Sequence, residues 1–161
     1  MPADDDPERP SACDRCGRVR AGVPPRCPAC GGLERAAACP IHRDRLTTSA
    51  CVICGTAVCH ECRRGGRHAA LCARHERVSV IEGWAEALRT SDELEARWLA
   101  DLLRESGIEA QVLSQKDRAN VVTFGGLSVV RLLVPSVRLD EALDVIGSSR
   151  DAAGGPGRPD S

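Results

Sequence analysis

The distribution of hydrophobic side chains along this chain changes at about residue 78. After that point apolar residues recur at intervals typical of strands and helices. Before it there is no aromatic residue, and large aliphatic residues are few. A segment of roughly 65 residues with so little core material does not fold by apolar burial alone and requires disulfides or metal ions. The pattern therefore predicts two halves that are stabilised in different ways.

In the second half, the first predicted helix begins near residue 90 and ends at Gly107. Thr90 and Glu93 match a capping box, with Ser91 or Asp92 as rival caps. Gly107 suits the left-handed position after a helix, and Ile108 suits the hydrophobic contact that accompanies it. The apolar stripe, which places Trp98 in the core, consists of Leu94, Trp98, Leu99, Leu102 and Leu103.

The remaining elements of this half are strands and a second helix. An alternating, β-branched run begins at residue 78, and further strand-like runs occupy 108–113, 121–124 and 127–134. After Pro135, a second helix closed by Gly147 has its apolar stripe at Leu139, Ala142, Leu143 and Ile146. The order of the main elements is β-α-β-β-α, which predicts an α+β domain of ferredoxin-like, split βαβ type.

All ten cysteines and all four histidines lie between Cys13 and His75. Twelve of them form six pairs with two residues between the donors, enough for three tetrahedral zinc ions. The first ten residues lack the apolar core of a signal peptide, and no run approaches the ~20 apolar residues of a membrane span. We therefore expect a cytoplasmic chain without membrane association, whose reduced thiols bind three Zn²⁺ per chain rather than forming disulfides.

The first two pairs are Cys13 with Cys16 and Cys27 with Cys30, separated by ten residues. Each pair suits a tight turn whose N–H groups point at the sulfurs, and Gly17 and Gly31 follow the two turns. The segment resembles a zinc ribbon, a widespread module that identifies a metal but no partner. Iron in a rubredoxin-like site remains an alternative to zinc.

The other four pairs span residues 38–76 and resemble a B-box type zinc finger. The resemblance implies a cross-brace in which one ion is held by Cys39, His42, Cys59 and Cys62, and the other by Cys51, Cys54, Cys72 and His75. A sequential pairing of adjacent pairs is an alternative. So is a site in which His68 replaces Cys72 or His75, whereas His60 is expected to be exposed.

The second half also resembles a known family. Its run LEARWLADLLRESGIEAQVLS and, after a glycine turn, VVRLLVPSVRLDEALDVI are similar to a small family of prokaryotic signal-transducing proteins. The matching features are the Leu-Glu-Ala start of the helix, Ser106-Gly107-Ile108 at its end, the strand end at Leu133-Val134-Pro135, and Glu141-Ala142 in the second helix. The resemblance covers about 55 residues and implies no defined ligand.

Together these features predict five segments. They are a disordered lead (1–11), a zinc ribbon (12–33), a B-box-like double zinc finger (38–76), a βαββα signal-transducing domain (78–148) and a disordered tail (149–161), with 34–38 as a short hinge. A catalytic zinc needs an open coordination position, yet each predicted site has four protein donors.

We therefore expect no enzyme but a bacterial zinc-binding adaptor or regulatory protein that acts through protein–protein contacts, with homodimerisation through the C-terminal domain as a further option. The alternatives are a nucleic-acid-binding zinc protein, which the net charge of −1 disfavours, and a zinc–thiolate redox or metal sensor.

Overall fold

In the computed structural model the chain divides into two compact units, Met1–Trp84 and Ala85–Ser161. The structure describes residues 11–20, 25–66, 68–114 and 129–153. Most of the predicted lead, the predicted strand at 121–124 and the end of the predicted tail lie outside these ranges. The finer segment boundaries at 12–33, 38–76 and 78–148 remain predictions.

The first unit contains short strands and irregular turns. Strand β1 (Ser11–Ala12) pairs antiparallel with β2 (Val19–Arg20), and β3 (Gly32–Ala38) pairs antiparallel with β4 (Leu46–Ser49), with an irregularity in register between Gly32 and Ala37. A 3-10 turn follows at Ala73–His75, and β5 is Val80–Ile81. The prediction of a hinge at 34–38 is wrong, because these residues form most of β3.

The strand predicted from residue 78 is interrupted by a two-residue turn. Strand β6 begins at Trp84 and ends at Thr90, so that Glu82 and Gly83 separate it from β5. Both turn residues have positive φ, 53° for Glu82 and 90° for Gly83. This backbone conformation is typical of tight two-residue turns between strands.

The second unit has the small α+β arrangement that the sequence predicted in outline. Its elements after β6 are α1 (Glu93–Glu105), β7 (Gln111–Ser114), β8 (Val130–Pro135), a 3-10 turn at Ser136–Arg138, and α2 (Leu139–Ala153). Strand β8 lies between β6 and β7. Its pairing with β7 is antiparallel, with Gln111 opposite Leu133 and Ser114 opposite Val130.

At the N-terminus of α1 the capping box at Thr90 is wrong and the rival cap Asp92 is correct. The N-cap is Asp92 rather than Thr90, because the Asp92 carboxylate accepts hydrogen bonds from the N–H groups of Leu94 and Glu95. The C-terminal prediction is confirmed. Gly107 has a φ of 75°, and the N–H of buried Ile108 donates to the carbonyl of Leu103, which is the Schellman arrangement.

The core of the second unit is aliphatic, and it excludes Trp98. Helix α1 buries Ala96, Leu99, Ala100 and Leu103, and the opposing buried positions include Ile108, Val130, Leu132, Val134, Leu139 and Ile146. Trp98 is 52% exposed and Leu94 is 77% exposed, so the prediction that Trp98 is a core residue is wrong. The apolar stripe of α1 is wider than the face that the helix buries.

Helix α2 is longer than predicted. Gly147 lies inside it rather than at its end, and the helix extends to Ala153, into the predicted disordered tail. Neither α2 nor any other helix in the described ranges has the length and apolar character needed to cross a membrane.

Candidate metal centres

The structure brings the twelve paired donors together in three groups of four. The ligand atoms within each group all lie within 4.8 Å of one another. The groups are Cys13, Cys16, Cys27 and Cys30; Cys39, His42, Cys59 and Cys62; and Cys51, Cys54, Cys72 and His75. We call them site 1, site 2 and site 3. Each could hold a metal ion, and the donors of sites 2 and 3 alternate along the chain in pairs.

The distances between donor atoms fit a tetrahedral zinc ion. Sulfurs about 2.3 Å from such an ion lie about 3.8 Å from each other. The Sγ–Sγ distances are 3.8 Å between Cys13 and Cys30 and 3.7 Å between Cys54 and Cys72. The shorter zinc–nitrogen bond brings a histidine nitrogen closer to the sulfurs, to about 3.6 Å. The Nδ1 atom of His75 accordingly lies 3.5 Å from the Sγ of Cys51.

Three of the donor pairs sit on turns that require glycine. In the first of them the N–H of Gly17 donates to the carbonyl of Cys13, which is four residues earlier, at 2.7 Å. In the same way, the N–H of Gly31 donates to the carbonyl of Cys27, and the N–H of Gly55 donates to the carbonyl of Cys51. All three glycines have φ between 71° and 78°, where a side chain is strained. The turn directs the following N–H groups toward the sulfurs.

The pKa values of thiols that lie close together in these groups are shifted in different directions. In site 2, backbone hydrogen bonds from His42 and Cys59 lower the pKa of the Cys39 thiol to about 6. Burial, together with the adjacent thiols, raises the pKa of Cys62 to about 11. Burial likewise raises the pKa of Cys30 to about 12 and that of Cys72 to about 11. Without a bound cation, a site therefore ionises only in part at neutral pH, and a divalent ion would stabilise the full set of thiolates.

Site 2 has a second layer of polar contacts that the donor spacing did not reveal. The Nδ1 atom of His42 lies 3.3 Å from the sulfurs of both Cys59 and Cys62. Its Nε2 lies 3.5 Å from a carboxylate oxygen of Glu61, whose other oxygen is 2.6 Å from Nη1 of Arg45. A carboxylate on the outer nitrogen of a ligating histidine fixes the ring and its tautomer. The available sequence signal was a carboxylate within the Cys59–Cys62 pair.

Sites 1 and 3 are joined by backbone hydrogen bonds. The carbonyl of Gly31 accepts from Ala50 N at 2.7 Å, and the carbonyl of Cys30 accepts from Ala70 N at 3.2 Å. Arg26 donates through Nη1 to the carbonyl of Cys51 at 3.0 Å. The segment with the ribbon-like spacing therefore packs directly onto site 3.

The two remaining histidines lie outside these groups. The His60 side chain is 80% exposed, as predicted. His68 is also exposed, and the structure places Cys72 and His75, rather than His68, with Cys51 and Cys54.

Comparisons with known proteins bear only on the second unit. Residues 84–150 match the model of a family described as "Putative prokaryotic signal transducing protein". This match covers less than half of the chain and agrees with the resemblance noted in its sequence. Searches of the curated proteins and of the solved structures found no match.

Proposed function

We propose that this chain is a non-enzymatic, bacterial zinc-binding adaptor or regulatory protein that acts through contacts with other proteins. The observation that carries the proposal is that each candidate metal site has four protein donors. A catalytic zinc ion usually has three, and keeps its fourth position for water or substrate. Thiolate and imidazole donors at tetrahedral distances favour zinc over magnesium or calcium. The ions would then hold a surface in shape rather than carry out a reaction.

Our proposal extends to the finer architecture of both units. We assign site 1 to a zinc ribbon, and sites 2 and 3 to a B-box-like cross-brace, which the alternation of their donor pairs supports. For the second unit we propose a ferredoxin-like fold, since β8 lies between the strands that α1 connects. Zinc ligation requires reduced thiols, so we place the protein in the cytoplasm.

The second unit would supply the regulatory part of the function. The family description supports a role in signal transduction. Strand β7 lies at the end of the strand order among the described strands, so a second copy could pair along it. This edge is the route that we propose for a homodimer.

The proposal is tested by native mass spectrometry of the freshly purified chain, with elemental analysis and thiol alkylation of the same sample. We expect three zinc ions and ten cysteines that react only after a chelator is added. Association with other proteins is tested by cross-linking the zinc-loaded chain in cells. Each complex of the chain with a captured protein is then reconstituted from purified components. An unfilled site, or the absence of any reconstituted pair, would contradict the adaptor function.

A second candidate function, a zinc–thiolate sensor, is supported by the unequal exposure of the donors. Cys16 in site 1 and Cys54 in site 3 are exposed, whereas no donor of site 2 is. A peroxide can accept two electrons from a pair of thiolates, giving a disulfide and releasing the ion. Zinc release from sites 1 and 3 before site 2, at about one peroxide per site, would favour this function.

A further inference from the structure

A groove of about 680 Å³ lies on the first unit, beside β4. All four residues of β4 line it, and three arginines, Arg15, Arg45 and Arg63, come from three different segments of the chain. His60 also contributes to its wall. The groove holds none of the twelve donors except Cys59, so it is a feature distinct from the metal sites.

Arg15 donates hydrogen bonds only to neutral groups in this groove. Its Nη1 donates to the Thr48 carbonyl at 3.2 Å and to the Ser49 hydroxyl at 2.6 Å, and its Nη2 donates to the Thr48 hydroxyl at 3.0 Å. Within the described residues, no carboxylate lies within salt-bridge distance of its guanidinium. The positive charge is therefore fixed in position without being neutralised, which prepares it to bind an anion.

The other two arginines differ in how their charges are balanced. Arg45 forms an ion pair with Glu61 at 2.6 Å, so its charge is largely compensated. Arg63 donates through Nη2 to the Gly66 carbonyl, while its Nε is buried without a hydrogen-bond partner in the described part of the chain. A buried donor without a partner is unfavourable unless a ligand or water accepts from it. Among the described residues, Arg15 and Arg63 are thus the two cations of the groove without a carboxylate partner.

The backbone edge of β4 is already used, so that a ligand must be recognised by side chains. The Thr48 carbonyl accepts from Arg15, and the Ser49 carbonyl accepts from the N–H of Val58. The Thr47 hydroxyl donates to the Val58 carbonyl. Leu46, which is 74% exposed, adds an apolar surface to the groove. Two cations beside one exposed leucine match an extended segment with acidic and apolar side chains.

We infer that this groove binds an acidic segment of a protein partner, and that Arg15 and Arg63 bind its carboxylate or phosphate groups. The inference rests on the proposed adaptor function and names the chemistry of the partner. Arginine guanidinium groups bind both kinds of anion through paired hydrogen bonds.

Nucleic acid is the less favoured occupant of the groove. Residues 12–76 contain eleven arginines and five acidic residues. This excess of six falls to about two when ten thiolates hold three divalent ions. Proteins that track a phosphate backbone need many such contacts and often aromatic platforms for the bases. There is no aromatic residue before Trp84.

The test is fluorescence anisotropy with the full, zinc-loaded chain and four labelled probes at low salt. These are deca-glutamate, a decapeptide of alternating phosphoserine and glycine, deca-lysine, and a twenty-nucleotide oligothymidine. We expect saturable binding of one or both acidic peptides and none of deca-lysine. Arg63→Gln should weaken binding about tenfold or more, and so should Arg15→Gln, since each loses hydrogen bonds to a charged group.

The matched control is Arg35→Gln, which removes the same charge from an exposed position on β3 outside the groove. It should change the affinity by less than about twofold. Zinc content is measured for every variant, and Arg63→Gln alone suffices if Arg15→Gln loses metal. Absence of acidic-peptide binding, or equal weakening by Arg35→Gln, would overturn the inference. Tighter binding of oligothymidine that depends on Arg63 would assign the groove to nucleic acid instead.

The experiments distinguish a wrong assignment of the groove from a wrong assignment of the adaptor function. If the Arg63→Gln variant still associates with a reconstituted partner as the original chain does, the groove is not the docking site and the adaptor function stands. If acidic peptides bind in an Arg63-dependent way but no protein pair can be reconstituted, recognition of acidic groups by the groove stands, whereas the adaptor function and its protein partner are contradicted.

Discussion

In the first unit the most deeply buried side chains include the candidate metal donors, whereas in the second they are aliphatic. Cys27, Cys39 and Cys51 are each 1% exposed or less, as are Leu99 and Leu103. A buried leucine stabilises the fold without a cofactor, but a group of thiolates without a cation is repulsive. The stability of the first unit should therefore depend on a bound metal ion and on proton concentration, whereas that of the second depends on packing.

Removal of zinc should produce the largest difference in stability between the two units. With a strong chelator, we expect the first unit to lose its structure and the second to retain it, because structural zinc contributes about 10–16 kcal/mol to such folds. Hydrogen exchange measures this directly. Amide protection should disappear at Ala50 and Ala70 and persist along α1. Added zinc should restore it. Simultaneous loss of protection in both units would show that the second also depends on the metal.

The converse experiment perturbs only the aliphatic core. Leu103→Ala removes a fully buried side chain and should lower the free energy of unfolding of the second unit by about 2–5 kcal/mol. Trp98→Ala is the control, since Trp98 is 52% exposed and its loss should cost about 1 kcal/mol or less. Chemical denaturation followed by circular dichroism gives both values, with zinc content unchanged. A larger effect of Trp98→Ala than of Leu103→Ala would contradict the burial of these two side chains in the structure.

The sequence was most informative where local spacing decides the outcome. Two residues between donors place both on one turn, and the glycine after Cys13-x-x-Cys16 or Cys27-x-x-Cys30 fits the backbone that the turn needs. The grouping of the donors in sites 2 and 3 came from resemblance, because spacing alone permits sequential pairing as well. Gly107 likewise marked the end of α1 through a local backbone requirement.

Features that depend on distant parts of the chain were not predicted. Periodicity placed Trp98 on the apolar stripe of α1, but which part of the stripe is covered depends on where β8 and α2 pack. Gly147 was taken as a helix end, yet glycine is tolerated inside a helix at a cost of about 1 kcal/mol. The contacts of Arg15 with Thr48 and Ser49 join residues more than thirty positions apart, beyond any local pattern.

The contact between sites 1 and 3 provides a test within the first unit. A Cβ at Gly31 would lie 2.0 Å from the Ala50 carbonyl oxygen, whereas a Cβ at Gly17 would meet nothing within 4 Å. Both have positive φ, so that Gly17→Ala introduces backbone strain alone. We expect destabilisation of about 2–4 kcal/mol for Gly31→Ala and about 1–2 kcal/mol for Gly17→Ala.

Competition with a chelator measures this difference as the ease of zinc loss. Gly31→Ala should release zinc from sites 1 and 3 together, because its clash separates them. Equal ease of zinc loss from Gly31→Ala and Gly17→Ala would contradict the direct packing of the ribbon-like segment on site 3.

The smallest expected effect concerns the contact of Glu61 with His42. Glu61→Gln keeps the size of the side chain but removes the charge that faces Nε2 of His42, so the ring becomes a weaker donor to the metal. We expect the zinc affinity of site 2 to fall about 10–100-fold, the range typical for loss of such outer partners. Glu34→Gln on exposed β3 is the control and should leave the affinity unchanged.

Nuclear magnetic resonance of the His42 ring nitrogens separates this role from a general loss of stability. In the zinc-loaded chain, Nδ1 should show the shift of a ligating nitrogen and Nε2 that of a protonated one that donates to Glu61. Glu61→Gln should move the Nε2 signal and leave the protection of α1 unchanged, which a global effect would not. If affinity and both shifts are the same in the variant, Glu61 serves only to pair with Arg45, and site 2 is held by its four donors alone.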